Sequence, residues 1–245
     1  MTEDPQGRRL AYLEAMGIQA WTLRGQPTDQ EPAVELPSPG QSLPAPDSQR
    51  EGADPGVSDL DWDALQGRVA QCTRCVLHGS RTHTVFGVGN RSADWLVIGE
   101  APGRDEDLQG EPFVGRAGQL LNAMLRAIGL EREQVYIANI LKCRPPNNRD
   151  PQPDEVLSCQ PYLMRQIALL QPRIILALGR VAAQNLLRTD TPIGKLRGRV
   201  HQIDGVSIPV VATYHPAYLL RSPAEKRKAW QDLQFAVQTL NERRR

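Results

Sequence analysis

The chain has 245 residues, 40% of them hydrophobic and 23% charged, with a net charge of +1. That length suits one or two domains, the apolar share permits a packed core, and four cysteines are too few for a small disulfide scaffold. No apolar run reaches the ~18 residues of a membrane span, and the opening MTEDPQGRRL lacks the apolar stretch of a secretory signal. A cytoplasmic protein with no membrane partner is expected.

Charge and proline divide the chain. Residues 1–60 hold 4 Lys/Arg against 10 Asp/Glu, giving −6, and the remainder carries +7. A basic body behind an acidic leader suits a protein that meets a polyanion. Residues 1–25 read as a short segment, with Leu10, Leu13 and Met16 able to line a helix. It could dock on the body or serve as a tethered peptide that binds a partner protein. Residues 26–60 contain seven prolines and no apolar periodicity. Such a stretch cannot offset its ordering entropy and reads as a disordered linker. Residues 61–241 form the folded body, and 242–245 a basic tail.

Strands and helices alternate through the body. Asp94–Gly99 is a short apolar run stopped by glycine, hence a buried strand. The spacing of Leu120, Leu121, Met124, Leu125 and Ile128 predicts a helix over 115–128, capped by Gly129. Residues 134–140 read as a second strand and 154–170 as a second helix between Pro153 and Pro172. Arg173–Leu178 is a third strand, leading through Gly179 into a helix over 180–187. Residues 200–203 and 206–211 flank Asp204-Gly205, a hairpin signal. A last helix starts at Ser222-Pro223 and runs to about Leu240. This order predicts an α/β fold of three layers, α/β/α, around a mainly parallel four-stranded central sheet. Ligands of such sheets bind outside the carboxyl ends of the strands.

The unusual residues fall at those ends. Gly99-Glu100-Ala101-Pro102-Gly103 follows the first strand, where glycines let backbone approach a ligand closely. A polar, glycine-rich loop over 104–115 follows and carries Phe113, either a core cap or a stacking platform for a flat ligand. Asn139 closes the second strand, with one acceptor and two donors on its amide. His215, in Tyr214-His215-Pro216, stands where it could donate to a developing negative charge. Leu219 and Leu220, beside Arg221, could be helix hydrophobes or wedges that enter DNA. Cys72, Cys75, Cys143 and Cys159 leave no thiol over and fit a four-thiolate site, for zinc or for iron–sulfur alike.

Together, GEAPG (99–103), EPFVGRAG (111–118), YIANILKCRPPNNR (136–149), HPAYLLR (215–221) and the four cysteines resemble family 4 uracil-DNA glycosylases. The resemblance covers roughly residues 65–240 and leaves out residues 1–60. It implies a uracil-DNA glycosylase-like fold and a [4Fe–4S] cluster on Cys72, Cys75, Cys143 and Cys159. It implies a pocket lined by Gly99 and Ala101, in which Phe113 stacks on flipped uracil and Asn139 reads the pyrimidine edge. An amide suits O4 and N3–H of uracil better than cytosine, whose N4 is a donor. His215 is then the donor to uracil O2, and Glu100 supports the sugar cation, positions water or crowds C5. Ala101 stands where several related families carry a water-orienting Asp or Asn.

The implied reaction is monofunctional: uracil is flipped from single- or double-stranded DNA and its glycosidic bond hydrolysed, leaving an abasic site for base excision repair. Arg144, Arg149, Lys195, Arg197, Arg199 and Arg221 are expected on phosphates, and Leu219 or Leu220 in the vacated stack. No lysine in these motifs reads as a Schiff-base nucleophile, and Lys142 is expected against the DNA backbone. A monomer is expected. The alternative is a non-catalytic DNA-binding scaffold built on iron–sulfur or zinc.

Overall fold

The computed structural model describes residues 56–243. The segment 1–25 and most of the linker lie outside these residues. Strands β1 (Val88–Gly89), β2 (Trp95–Gly99), β3 (Tyr136–Asn139), β4 (Ile174–Leu178), β5 (Val200–Ile203) and β6 (Val206–Thr213) form one sheet in the order β1-β3-β2-β4-β6-β5. The inner four are parallel, as expected, and β1 and β5 add an antiparallel strand at each edge. β5 and β6 are joined at Asp204-Gly205, where Gly205 takes a positive φ of 74°.

Helices cover both faces. They are α1 (Trp62–Ala70), α2 (Arg104–Gln109), α3 (Arg116–Ala127), α4 (Pro153–Leu170), α5 (Gly179–Leu187), α6 (Ile193–Leu196), α7 (Pro216–Arg221) and α8 (Lys226–Glu242). Alternate strand residues point to opposite sides. Leu96, Ile98, Ala138, Ile175 and Ala212 pack with Leu163 and Ile167 of α4 and Ala183 and Leu186 of α5. Val97, Ile137, Leu176 and Val211 pack with Leu121 and Leu125 of α3 and Leu233 and Ala236 of α8. Two apolar faces explain why the strands read as continuous runs of Val, Ile and Leu. A third cluster joins α1, α4 and the loop after β3, around Leu65, Val69, Tyr162 and Cys159.

Three details differ from the sequence reading. The stretch over 104–115 is not all loop, because α2 opens it. Gly103 is its N-cap, Glu106 Oε2 accepts from the Gly103 N–H at 3.1 Å, and Gly110 ends it at φ 76°. Its first turn carries Asp105, Glu106 and Asp107, which suit the positive end of a helix dipole. The packed body begins earlier than residue 61: Val57 is only 2% exposed, and Arg165 Nε donates to the Leu60 carbonyl at 2.7 Å. The final helix continues through Glu242, so that residue belongs to α8 and not to a tail.

Candidate active site

A cleft of about 430 Å³ opens at the carboxyl ends of the parallel strands. Glu100, Ala101, Phe113, Asn139, His215 and Arg221 all line it, so residues spread over more than a hundred positions meet there. Gly99, last in β2, makes the meeting possible. A Cβ at Gly99 would lie 2.4 Å from Asn139 Oδ1 and 2.6 Å from Phe113 Cζ.

Phe113 is held in an uncommon backbone conformation, with φ 56°. Several groups pin it there. Arg132 donates to the Pro112 carbonyl at 2.6 Å and to the Phe113 carbonyl at 3.4 Å. Glu106 bridges the Gly103 and Val114 N–H groups at 3.1 and 3.2 Å, clamping the first turn to the Phe113 loop. Gly118 leaves room, since a Cβ there would meet the Phe113 carbonyl oxygen at 1.8 Å.

His215 is the N-cap of α7. Its Nδ1 accepts from the Ala217 N–H at 3.1 Å, so the ring proton of the neutral imidazole sits on Nε2. Burial, with Arg221 adding, pulls its pKa down to about 4. The ring lies 5.6 Å from that of Phe113. Gly179, the first residue of α5 at φ 90°, lets the backbone pass close to His215, because a Cβ there would fall 2.8 Å from His215 Cβ.

Asn139 is 2% exposed, and its Oδ1 is buried without a hydrogen-bond partner. An orphaned buried acceptor costs about 1–3 kcal/mol until something donates to it. Glu100 is half-buried, and its pKa is pushed up to about 7 by burial, with Asp150 raising and Arg180 lowering it. Arg180 Nη2 in turn donates to Asp150 Oδ2 at 2.5 Å.

All four cysteines are free thiols and line one small cavity between the end of α1, the loop after β3 and α4. Arg81 Nη1 donates to Cys143 Sγ and the Lys142 backbone N–H to Cys159 Sγ, each at 3.2 Å. These donors favour the thiolate, but burial outweighs them and pushes both thiols up, that of Cys159 to about 12. Among the described residues no group of three or more His, Cys, Asp or Glu is gathered tightly enough for a single metal ion. Four sulfurs lining one cavity are the donor type that thiolate-bound zinc and iron–sulfur clusters share.

The expected DNA-facing residues divide. Lys195, Arg199 and Arg221 are exposed, and Arg144 is half-buried with Nε on Asn148 Oδ1 at 2.7 Å. Arg149 lines the cleft but grips both oxygens of the buried Glu155, at 2.5 and 2.9 Å. Arg197 pairs with Asp232 at 2.7 and 3.0 Å and stacks its guanidinium over Tyr214, so its charge is already taken. Leu219 is 1% exposed and packs in the core, whereas Leu220 is 36% exposed, so of the two only Leu220 can act as a wedge. Lys142 is not on the surface at all: it is 1% exposed. Sequence reasoning missed Glu106, Arg132, Asp150 and Arg180, whose roles depend on partners remote in the chain.

The sequence model of the Uracil DNA glycosylase superfamily matches residues 86–234. A type-4 uracil-DNA glycosylase of Archaeoglobus fulgidus is 51% identical over 167 residues, 66% of this chain and 84% of the relative. Those of Saccharolobus solfataricus and Pyrobaculum aerophilum are 44% and 43% identical, over 73% and 71% of this chain and 86% and 92% of the relatives. The matched span holds the whole cleft, from Gly99 to Arg221, and the chain therefore belongs to the type-4 uracil-DNA glycosylase family.

Proposed function

We propose that this cleft excises uracil from DNA by hydrolysis of its N-glycosidic bond and leaves an abasic site for base excision repair. The observation that carries the reading is the orphaned Asn139 Oδ1 beside a neutral, Nε2-protonated His215. Uracil offers what that pair lacks: N3–H donates to Asn139 Oδ1, and O2 accepts from His215 Nε2–H. Cytosine would set its N3 lone pair against Asn139 Oδ1 and its N4–H donors against the amide NH2, so an amide held in this orientation meets a mismatch at both positions.

The mechanism follows from the residues available. The C1′–N1 bond breaks, its electron pair leaves with uracil, and the sugar becomes cationic. Negative charge gathers on O2, so the His215 hydrogen bond strengthens in the transition state, an effect worth about 3–4 kcal/mol. A low His215 pKa keeps the ring a neutral donor that also retains its Nδ1 bond to Ala217. Ionised Glu100 supports the sugar cation. Water then adds to C1′. Ala101 can neither hold nor activate that water, so leaving-group stabilisation carries the rate. No lysine lines the cleft among the described residues, which favours hydrolysis without a lyase step.

Uracil within a duplex has to leave the stack, at a cost of a few kcal/mol. Exposed Leu220 would fill the gap, and the exposed Lys195, Arg199 and Arg221 would neutralise phosphates. Cys72, Cys75, Cys143 and Cys159 would hold a [4Fe–4S] cluster, whose contribution is a cross-link between α1, the loop after β3 and α4. On this reading the enzyme acts as a cytoplasmic monomer on single- or double-stranded uracil-DNA, with residues 1–25 open to a repair or replication protein. No helix among the described residues is long and apolar enough to cross a membrane. The non-catalytic scaffold has no observation in its favour.

One gel tests the reading. A labelled oligonucleotide with a single uracil, unpaired or opposite G or A, is incubated with the protein and then split with hot alkali. Cleavage that appears only after alkali is the expected result. Cleavage without alkali would overturn the hydrolytic mechanism, and no cleavage on any substrate would overturn the assignment.

A further inference from the structure

We propose that Lys142 is a positioning residue for base reading: its ammonium holds the Asn139 main chain in place and ties it to the four-cysteine site. The proposal rests on the reading of Asn139 and of the cysteines given above. Lys142 is among the largest fully buried side chains. Its Nζ folds back three residues to donate to the Asn139 carbonyl at 3.0 Å, and donates to Gln166 Oε1 at 2.6 Å. Gln166 is fixed in turn by donating to the Phe86 carbonyl at 3.0 Å.

Both acceptors of the ammonium are uncharged. A buried ammonium facing only neutral groups is expensive, and stable sites supply it with nearby negative charge. The neighbouring sulfurs are the natural source. The Lys142 backbone N–H donates to Cys159 Sγ, and the next residue is Cys143. One side of this lysine therefore adjoins the four-cysteine site, whose sulfurs would carry negative charge once a cluster is bound, and the other the residue proposed to read the base.

The intervening chain is taut. Ile140 N–H donates to the Gly99 carbonyl at 3.0 Å, Leu141 N–H to that of Glu100 at 3.1 Å, and Lys142 O accepts from Val85 N–H at 2.8 Å. Asn139 Oδ1 has little slack, since a single Cβ added at Gly99 would already collide with it. A small shift of the Asn139 main chain would misplace the amide against the pyrimidine edge.

A double-mutant cycle tests this. Lys142→Met keeps the apolar stem and removes the ammonium. It is combined with Asn139→Ala, and kcat/KM is measured on a single-stranded uracil oligonucleotide beside iron content, visible absorbance and thermal melting. Lys142→Met is expected to keep its iron and its cooperative melting yet to lose activity about 10- to 100-fold, the scale of sub-ångström to ångström misplacement. In the Asn139→Ala background the same change should cost less than about 3-fold, because coupled residues are not additive. Full activity in Lys142→Met, or a loss that multiplies unchanged in the Asn139→Ala background, overturns the proposal. If Asn139→Ala alone retains full activity, it is the base-reading assignment that fails. Should Lys142→Met lose iron or fail to fold, Gln166→Leu replaces it in the cycle, since it removes the second acceptor and leaves the charge. Non-additivity with Asn139→Ala is again expected, and additivity again overturns the proposal.

Discussion

The rings of Phe113 and His215 stand 5.6 Å apart between centroids, with their planes tilted by 32°. A base sandwiched between them would need about 7 Å, twice the ~3.5 Å contact distance of carbon atoms. The pair therefore does not form a slot. On the proposed reading a base would stack against Phe113 from within the cleft while His215 met it edge-on through Nε2–H, the geometry a leaving-group donor requires. His215→Ala should then lower kcat about 100- to 1,000-fold, the range seen for loss of one such donor. Affinity for a single-stranded uracil oligonucleotide, read with a non-cleavable analogue, should change far less.

The pH dependence follows from two opposed shifts. Glu100, raised to about 7, is half-ionised near neutrality. If its ionised form supports the sugar cation, kcat/KM rises with pH through about 7, and Glu100→Gln removes that limb while lowering the plateau. A pH–rate profile checks both. The Glu100 stability term runs the other way, and the His215 term the same way. Glu100 holds a proton in the folded state that the unfolded chain releases above its ordinary pKa of 4.5, so its share of stability is present below 4.5 and declines as pH rises to about 7. His215 is lowered to about 4 against an ordinary 6.5, so its share is full above 6.5 and is lost as pH falls through 4. Denaturant melts of His215→Gln should show a flatter acid limb than the parent.

The strand framework and the cleft motifs were legible because both are local. Runs such as Trp95–Gly99 and Ile174–Leu178 are buried on both faces and so read as unbroken apolar stretches. The helix α2 was not legible: it has six residues, and its one large apolar side chain, Leu108, is exposed. Nor was the clamp on Phe113. Arg132 lies 19 residues beyond it, and nothing in the sequence says which carbonyls its guanidinium meets. Lys142 beside a cysteine reads as a surface cation until the fold buries it against Asn139. The last two misses are tertiary juxtapositions.

Gly99 is the point at which the Asn139 and Phe113 side chains converge. In Gly99→Ala the new Cβ would need to displace Asn139 Oδ1 or the Phe113 ring, at 2.4 and 2.6 Å. Both line the cleft, so on the proposed reading kcat/KM should fall about 100-fold or more, as a misplacement near 1 Å does. The backbone of Gly99 carries no positive φ, so strain at that residue adds nothing. Thermal melting should therefore shift less than activity does, and a variant that melts early yet keeps its kcat/KM would show that the cleft relaxes around the methyl.

Adjacent leucines separate stability from DNA handling. Leu219 is buried against the α3 and α8 side of the sheet, and Leu220 faces solvent one helical step away. Truncating a buried leucine costs about 2–5 kcal/mol. Leu219→Ala should therefore lower the melting temperature, with single- and double-stranded substrates affected alike at temperatures where the variant is folded. Leu220→Ala removes little buried surface and should leave melting nearly unchanged. If Leu220 fills the gap behind a flipped uracil, its loss lowers kcat/KM on duplex DNA several-fold more than on single strands, where there is no stack to reopen. The ratio of the two substrates is the quantity to measure. An unchanged ratio in Leu220→Ala would remove the wedge from the mechanism and leave the cost of flipping to the phosphate contacts of Lys195, Arg199 and Arg221.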